Sequence, residues 1–144
     1  MIFCVTTPET AMTMIVDSDD ALSSDAVSKV IESLSRYKSD NLTGVCFRRA
    51  YFDSNIIGVT SGLPGKVLNI KPTEAGRLLQ GDLAYIFKKT AMVKFPFPVF
   101  DGEKFVPELY IWNKIGDIGD ILFFSEDVIY YCEYLLDGYS HNFK

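Results

Sequence analysis

The chain has 144 residues, 48% of them hydrophobic and 14% aromatic, with a formal net charge of −5. That length suits one domain with a substantial core, and the acidic balance excludes nucleic acid as an expected partner, because affinity for a phosphate backbone comes mainly from Lys and Arg. No run reaches the ~20 apolar residues of a membrane span, and the residues before Pro8 lack the basic start and long apolar stretch of a secretory signal, so a cytoplasmic protein with no integral membrane segment is expected. Cys4, Cys46 and Cys132 are spaced too widely for a disulfide framework or a zinc signature and read as reduced thiols.

In chain order, Met12 to Val16 reads as a buried strand that ends in Asp17-Ser18-Asp19-Asp20. Ser23 or Ser24 then caps a helix reaching about Lys38, with Val27, Val30, Ile31 and Leu34 on one face. Val45 to Phe52 and Asn55 to Thr60 read as strands, Ser61 to Gly65 as a turn, and Lys66 to Ile70 as extended chain, together a β-meander. Pro72-Thr73-Glu74 opens a short helix to Leu79, and Leu83 to Phe87 is a further strand. Phe95-Pro96-Phe97-Pro98 is incompatible with regular helix and is expected to be an ordered loop with its aromatics packed inward.

The segment Lys104 to Ile115 reads as a helix if Pro107 lies in its first turn, which sets Phe105, Glu108, Trp112 and Ile115 near one face. Ile121 to Phe124 and Val128 to Leu135 read as strands, with Asp137-Gly138 as a turn. The fold class is therefore α/β, with a mixed sheet flanked by helices.

Two segments carry chemistry. Oxygen ligands at Asp17, Asp19 and Asp20 suit a hard cation such as Mn²⁺ or Mg²⁺, and ligands of open α/β sheets bind beyond the carboxyl ends of strands. An acidic turn also favours the positive end of the helix that follows it, without any ligand. Glu108, at a helix start with Trp112 one turn on, is a candidate base; desolvation against the indole raises its pKa while the helix N-terminus lowers it. Glu103 is the alternative carboxylate, and both fit equally the bland role of stabilising a helix start. The basic pairs Arg48-Arg49 and Lys88-Lys89 are expected to be solvated strand charges, with at most one of each pair facing a given site.

These residues resemble the family 2 glycosyltransferases of the GT-A fold, in the second half of their catalytic domain. Val16-Asp17-Ser18-Asp19-Asp20-Ala21-Leu22 looks like the family's DxD segment, and Gly81 to Lys89 resembles the stretch before the acceptor site. Phe95-Pro96 followed by Gly102 to Glu108 looks like a form of the acceptor-base region, and Val128 to Tyr134 ahead of Asp137 to Ser140 like the closing strand and turn. The resemblance covers nearly the whole chain in consistent order. It implies a nucleotide diphosphate sugar as donor, a glycan or other hydroxyl as acceptor, and inverting transfer assisted by Mn²⁺ or Mg²⁺. By residue, it implies Asp17 near the ribose or metal, Asp19 as principal metal ligand, Asp20 as a supporting carboxylate and Glu108 as base, with Glu103 as its substitute. It also implies surface polysaccharide synthesis at the inner membrane face.

The chain departs from the family in two places. Many relatives carry Glu-Asp where Pro107-Glu108 stand, and no Pro-x-Tyr-Asn-like opening precedes Asp17, so the half that contacts the nucleotide base has no counterpart. Weak activity, or homo-oligomerisation through an exposed core, is the expected consequence. His141, near the end of the sequence, is expected to be a surface histidine. The rival enzyme class is a haloacid-dehalogenase-like phosphatase with Asp17 as nucleophile and Asp19 as acid/base, although Ala21 stands where that class has Thr or Val. The rival without catalysis is a fragment that only binds or oligomerises.

Overall fold

The computed structural model describes residues 2–6, 11–17, 19–37, 42–94 and 108–133. They form β1 (Ile2–Thr6), β2 (Ala11–Ile15), β3 (Ala21–Leu22), α1 (Ala26–Arg36), β4 (Leu42–Tyr51), β5 (Val67–Ile70), α2 (Pro72–Leu79), β6 (Leu83–Lys88), α3 (Lys89–Lys94), α4 (Glu108–Gly116) and β7 (Asp120–Cys132). All seven strands join one mixed sheet in the order β1-β2-β6-β4-β7-β3, with β5 also on β7. Because β2 and β4 both run antiparallel to β6, and β7 runs parallel to β4, the strands β2, β4 and β7 share one direction.

Alternation along the central strands explains how both faces of this sheet are covered. Val45 and Phe47 of β4, Ala84 and Ile86 of β6, and Leu122 and Phe124 of β7 join one core with Ala26 and Val30 of α1. The intervening residues Cys46, Leu83, Phe87, Ile121 and Phe123 join a second core with Ala75 and Leu79 of α2, Ala91 of α3, and Ile111, Trp112 and Ile115 of α4. A sheet buried on both sides needs apolar residues at successive positions of its strands. The high apolar content therefore has a use within the described residues, quite apart from any opened core.

Short-range devices set the helix ends. Pro72 begins α2, where its missing N–H costs nothing, and Gln80 closes it in the left-handed region at φ 53°. The Lys71 ammonium donates to the Gly116 carbonyl at 2.8 Å, tying the start of α2 to the end of α4.

Several expectations change. The first helix starts at Ala26 with Asp25 as its N-cap and without a side-chain capping bond; the Ser23 hydroxyl donates to Asp25 Oδ1 at 2.7 Å instead. Its buried residues are Ala26, Val30 and Ser33, and Val27 and Ile31 are exposed. Periodicity marks an apolar stripe, but the sheet meets only one edge of it. Asn55 to Thr60 makes a single bridge, Ala50 to Ile56, rather than a strand, and β5 pairs with β7, so the middle section is no meander. The last two expected strands are one continuous β7. Residues 2–6, 21–22 and 89–94, which had no assigned element, form β1, β3 and α3. The Phe95 to Pro98 loop and the Asp137-Gly138 turn lie outside the described residues.

The pairing of β4 with β7 breaks midway. Cys46 lies opposite Phe123 and Arg48 opposite Val128, so two steps along β4 are matched by five along β7. Arg48 fills that break with 0% of its surface exposed. Its guanidinium donates to the Ile57 carbonyl at 2.7 Å and to the Ser125 carbonyl at 3.3 Å. Ser125 in turn donates its hydroxyl to Gly65 O at 2.8 Å. Arg48 is therefore a core residue and not the solvated strand charge that the sequence leads one to expect.

Candidate functional site

The acidic turn follows β2 directly, and its place in the fold comes from strand direction. The carboxyl ends of β2, β4 and β7 lie together, beside the start of β6, since Met14 pairs with Ile86, Arg48 with Leu83 and Arg49 with Tyr130. In open, mostly parallel α/β sheets ligands bind at this end; here β1, β3, β5 and β6 run the other way. The sheet brings Arg49 from β4 and Tyr130 from β7 to the turn that carries Asp17, Asp19 and Asp20.

The turn closes on itself through the Asp20 amide, which donates to the Asp17 carbonyl at 3.1 Å. The Asp17 amide donates to the Tyr130 hydroxyl at 3.2 Å, and that hydroxyl donates to Asp20 Oδ2. The chain leaving the turn is fixed as well: Ala21 and Leu22 pair with Tyr131 and Tyr130, and the Ser23 amide donates to the Ile129 carbonyl at 2.8 Å. Asp17 and Asp19 are exposed, whereas Asp20 is half-buried. Two carboxylates thus face solvent and the third is tied inward.

Arg49 supports this arrangement from β4. Its guanidinium carbon lies 4.0 Å from the centroid of the Tyr130 ring, a cation–π distance, and its Nε donates to the Leu83 carbonyl at 2.9 Å. Tyr130 is 1% exposed; burial, reinforced by the bond to Asp20, pushes its phenol well above the ordinary range, so it acts as a neutral donor. The Cys132 thiol, close by on β7, is raised mainly by burial, against the pull of Arg49. Cys46 and Cys132 are both buried free thiols, as the spacing implies. Sequence reading missed Tyr130 and Arg49 as members of this cluster. The alternation rule did allow one arginine of the pair to face a site, but no signal in the sequence pairs Tyr130 with a turn 113 positions away.

Burial raises the Asp20 carboxyl above its ordinary 3.8; the Tyr130 bond opposes the rise, the Asp17 and Asp19 charges add to it, and Arg49 counters it. The folded chain therefore holds the Asp20 proton more tightly than the unfolded chain. Stability from this group is present below the unfolded value and is lost as the pH climbs through the raised folded value. Acid-range urea titrations should show that decline in the wild type and a flatter profile in Asp20→Asn. An equal slope in both would assign it to other carboxylates.

Glu108 is the first described residue of α4; its side chain, and all of Glu103, lie outside the described residues, as does His141. Trp112, expected to offer an aromatic surface beside Glu108, is instead buried, with its ring 4.6 Å from Phe87 and 5.7 Å from Tyr85 between centroids. Lys88 closes β6 and Lys89 opens α3, so that basic pair does not share a strand.

Among the described residues no three His, Cys, Asp or Glu side chains converge to hold a metal ion alone. A cation shared with substrate phosphates needs only one or two protein carboxylates, and exposed Asp17 and Asp19 fit that smaller demand. No described helix is long and apolar enough to cross a membrane. Comparison with models of protein families, with curated proteins and with solved structures found no match.

Proposed function

We propose that this chain carries the metal-binding and acceptor-activating half of a GT-A-type glycosyltransferase, which transfers a sugar from a nucleotide diphosphate sugar to a hydroxyl acceptor with inversion. The observation that carries the reading is the position of the acidic turn, at the common carboxyl end of β2, β4 and β7 with two carboxylates exposed. Asp19 is the principal ligand of Mn²⁺ or Mg²⁺, Asp17 lies toward the ribose or the same ion, and Asp20 supports the turn from within. The cation, when bound, neutralises the diphosphate leaving group. Glu108 accepts the acceptor's hydroxyl proton, with Glu103 as the alternative base. No covalent intermediate is required, since a single in-line displacement inverts the anomeric centre.

Thermal unfolding with UDP, GDP, CDP and dTDP, each with and without Mn²⁺, tests the reading. A ligand that binds the native state stabilises it by mass action, by about 2.7 kcal/mol at a hundredfold excess over its Kd, and so raises the melting temperature. Nucleoside diphosphates should stabilise the wild type only with Mn²⁺, because the proposed contacts are to the metal and diphosphate rather than the base, and Asp19→Ala should abolish the effect. Stabilisation that survives Asp19→Ala would place the ligand elsewhere. No stabilisation by any nucleotide, with steady Asp17-dependent phosphate release from an aryl phosphate, would favour the phosphatase reading. No ligand effect and no turnover would favour a fragment that only binds or oligomerises.

A further inference from the structure

We propose that Tyr130 is a positioning residue for the acidic turn, holding the backbone so that Asp17 and Asp19 face solvent together; its functional consequence rests on the glycosyltransferase reading above. A buried phenol hydroxyl costs free energy unless it is hydrogen-bonded, and both bonds of this one go to the turn. It accepts from the Asp17 amide at one end and donates to the Asp20 carboxylate at the other. With the Asp20 amide on the Asp17 carbonyl, the hydroxyl completes a closed ring of contacts that joins Asp17, Asp20 and Tyr130.

The tyrosine is itself held at several points. Its backbone is paired with Leu22 on one side and Arg49 on the other, its ring lies under the Arg49 guanidinium, and it belongs to the core beneath α1. A phenylalanine would supply all of that packing. The hydroxyl is the part that core formation does not need, and among the described residues both of its hydrogen bonds go to the turn.

The arrangement also divides labour among the three carboxylates. Asp20 spends an oxygen on Tyr130 and is half-buried, so it is the anchor, and Asp17 and Asp19 remain outside as the pair that meets a cation. Losing the hydroxyl frees the Asp17 amide and the Asp20 side chain together, and the turn then samples orientations in which the outer carboxylates diverge.

The test is Tyr130→Phe, read in two independent ways. Amide hydrogen exchange by NMR should show the Asp17 amide exchanging roughly tenfold faster in the variant, the worth of about one hydrogen bond, with Val45 and Ile86 in the paired sheet unchanged. Titration with Mn²⁺ alone, followed by its electron paramagnetic resonance signal, should show affinity falling roughly tenfold, as for other groups that orient metal ligands. Wild-type binding that disappears in Asp19→Ala identifies the turn as the site measured.

An Asp17 amide that stays protected in Tyr130→Phe overturns the inference, as does unchanged Mn²⁺ affinity beside an Asp19-dependent wild type. A wild type without Asp19-dependent Mn²⁺ binding overturns the glycosyltransferase reading instead, and the Asp17 amide then decides the role of Tyr130. If Tyr130→Phe loses its sheet, Asp20→Ala removes the acceptor that orients the hydroxyl and should also speed Asp17 exchange; no change there overturns the proposal.

Discussion

Gly44→Ala should be among the most damaging single substitutions in this chain, although it adds one methyl group. A Cβ at position 44 would stand 2.1 Å from the Ile86 carbonyl oxygen and 2.9 Å from the Phe87 Cα. Those atoms are backbone, not the far end of a side chain that can turn away. They belong to β6, which is paired on both sides, with Gly44 opposite Phe87 and Val45 opposite Ile86 on one edge and β2 on the other. Relief therefore means separating β4 from β6 at the centre of the sheet. Overpacking that side chains can absorb costs about 1–3 kcal/mol, and a clash with fixed backbone belongs at or above the top of that range.

A loss of about 3 kcal/mol is a large share of the roughly 5–15 kcal/mol that holds a domain folded. Urea denaturation should show the midpoint falling sharply with little change in slope. Gly62→Ala is the comparison: nothing lies within 4 Å of a Cβ there, but φ is +74°, so only backbone strain of about 1–3 kcal/mol applies. A Gly44→Ala midpoint no lower than that of Gly62→Ala would show that β4 and β6 can part cheaply.

Arg48→Ala should destabilise by a similar amount for a different reason. The fully buried guanidinium satisfies the carbonyls of Ile57 and Ser125 where β7 loses register with β4. Each buried acceptor left without a donor costs about 1–3 kcal/mol, and truncation to Ala adds a cavity. Working against these losses is the release of a charge held out of water: burial pulls the Arg48 pKa below its ordinary value, and its Nε has no hydrogen-bond partner among the described residues. Arg48→Met separates the effects, because it fills the space without the charge.

The expected order is wild type, then Arg48→Met, then Arg48→Ala, with Arg48→Ala down by about 3 kcal/mol and Arg48→Met by about half of that. Should Arg48→Met match or exceed the wild type in urea, desolvation of the guanidinium outweighs its two carbonyl bonds. The break in register would then be held by Ser125 and its contacts with Gly65 and Lys66.

The neighbouring arginines show how far sequence reading reaches. Alternation of side chains along a strand implies that Arg48 and Arg49 point to opposite faces, and they do part company. One is sealed against two carbonyls, and the other lies over Tyr130 at the site. Nothing in their order says which goes where, because the answer depends on a strand some eighty positions later. Trp112 gives the same lesson from the other side. Its helix was legible, but whether its ring faced a site or the core was fixed by Phe87 and Tyr85 of β6.

The sequence by itself determined what short-range physics controls. It marked the apolar strand that runs into an acidic turn, the start of α2 at Pro72, and a mixed sheet flanked by helices. The tertiary structure alone decided which strands pair, that β5 and β3 share the outer edge of β7, that Arg48 fills a break in register, and that Tyr130 reaches the turn of Asp17 and Asp20. Local propensity and period act over a few residues. Pairing partners and buried polar contacts are chosen by the free energy of the assembled sheet, in which residues 113 apart become hydrogen-bonded neighbours.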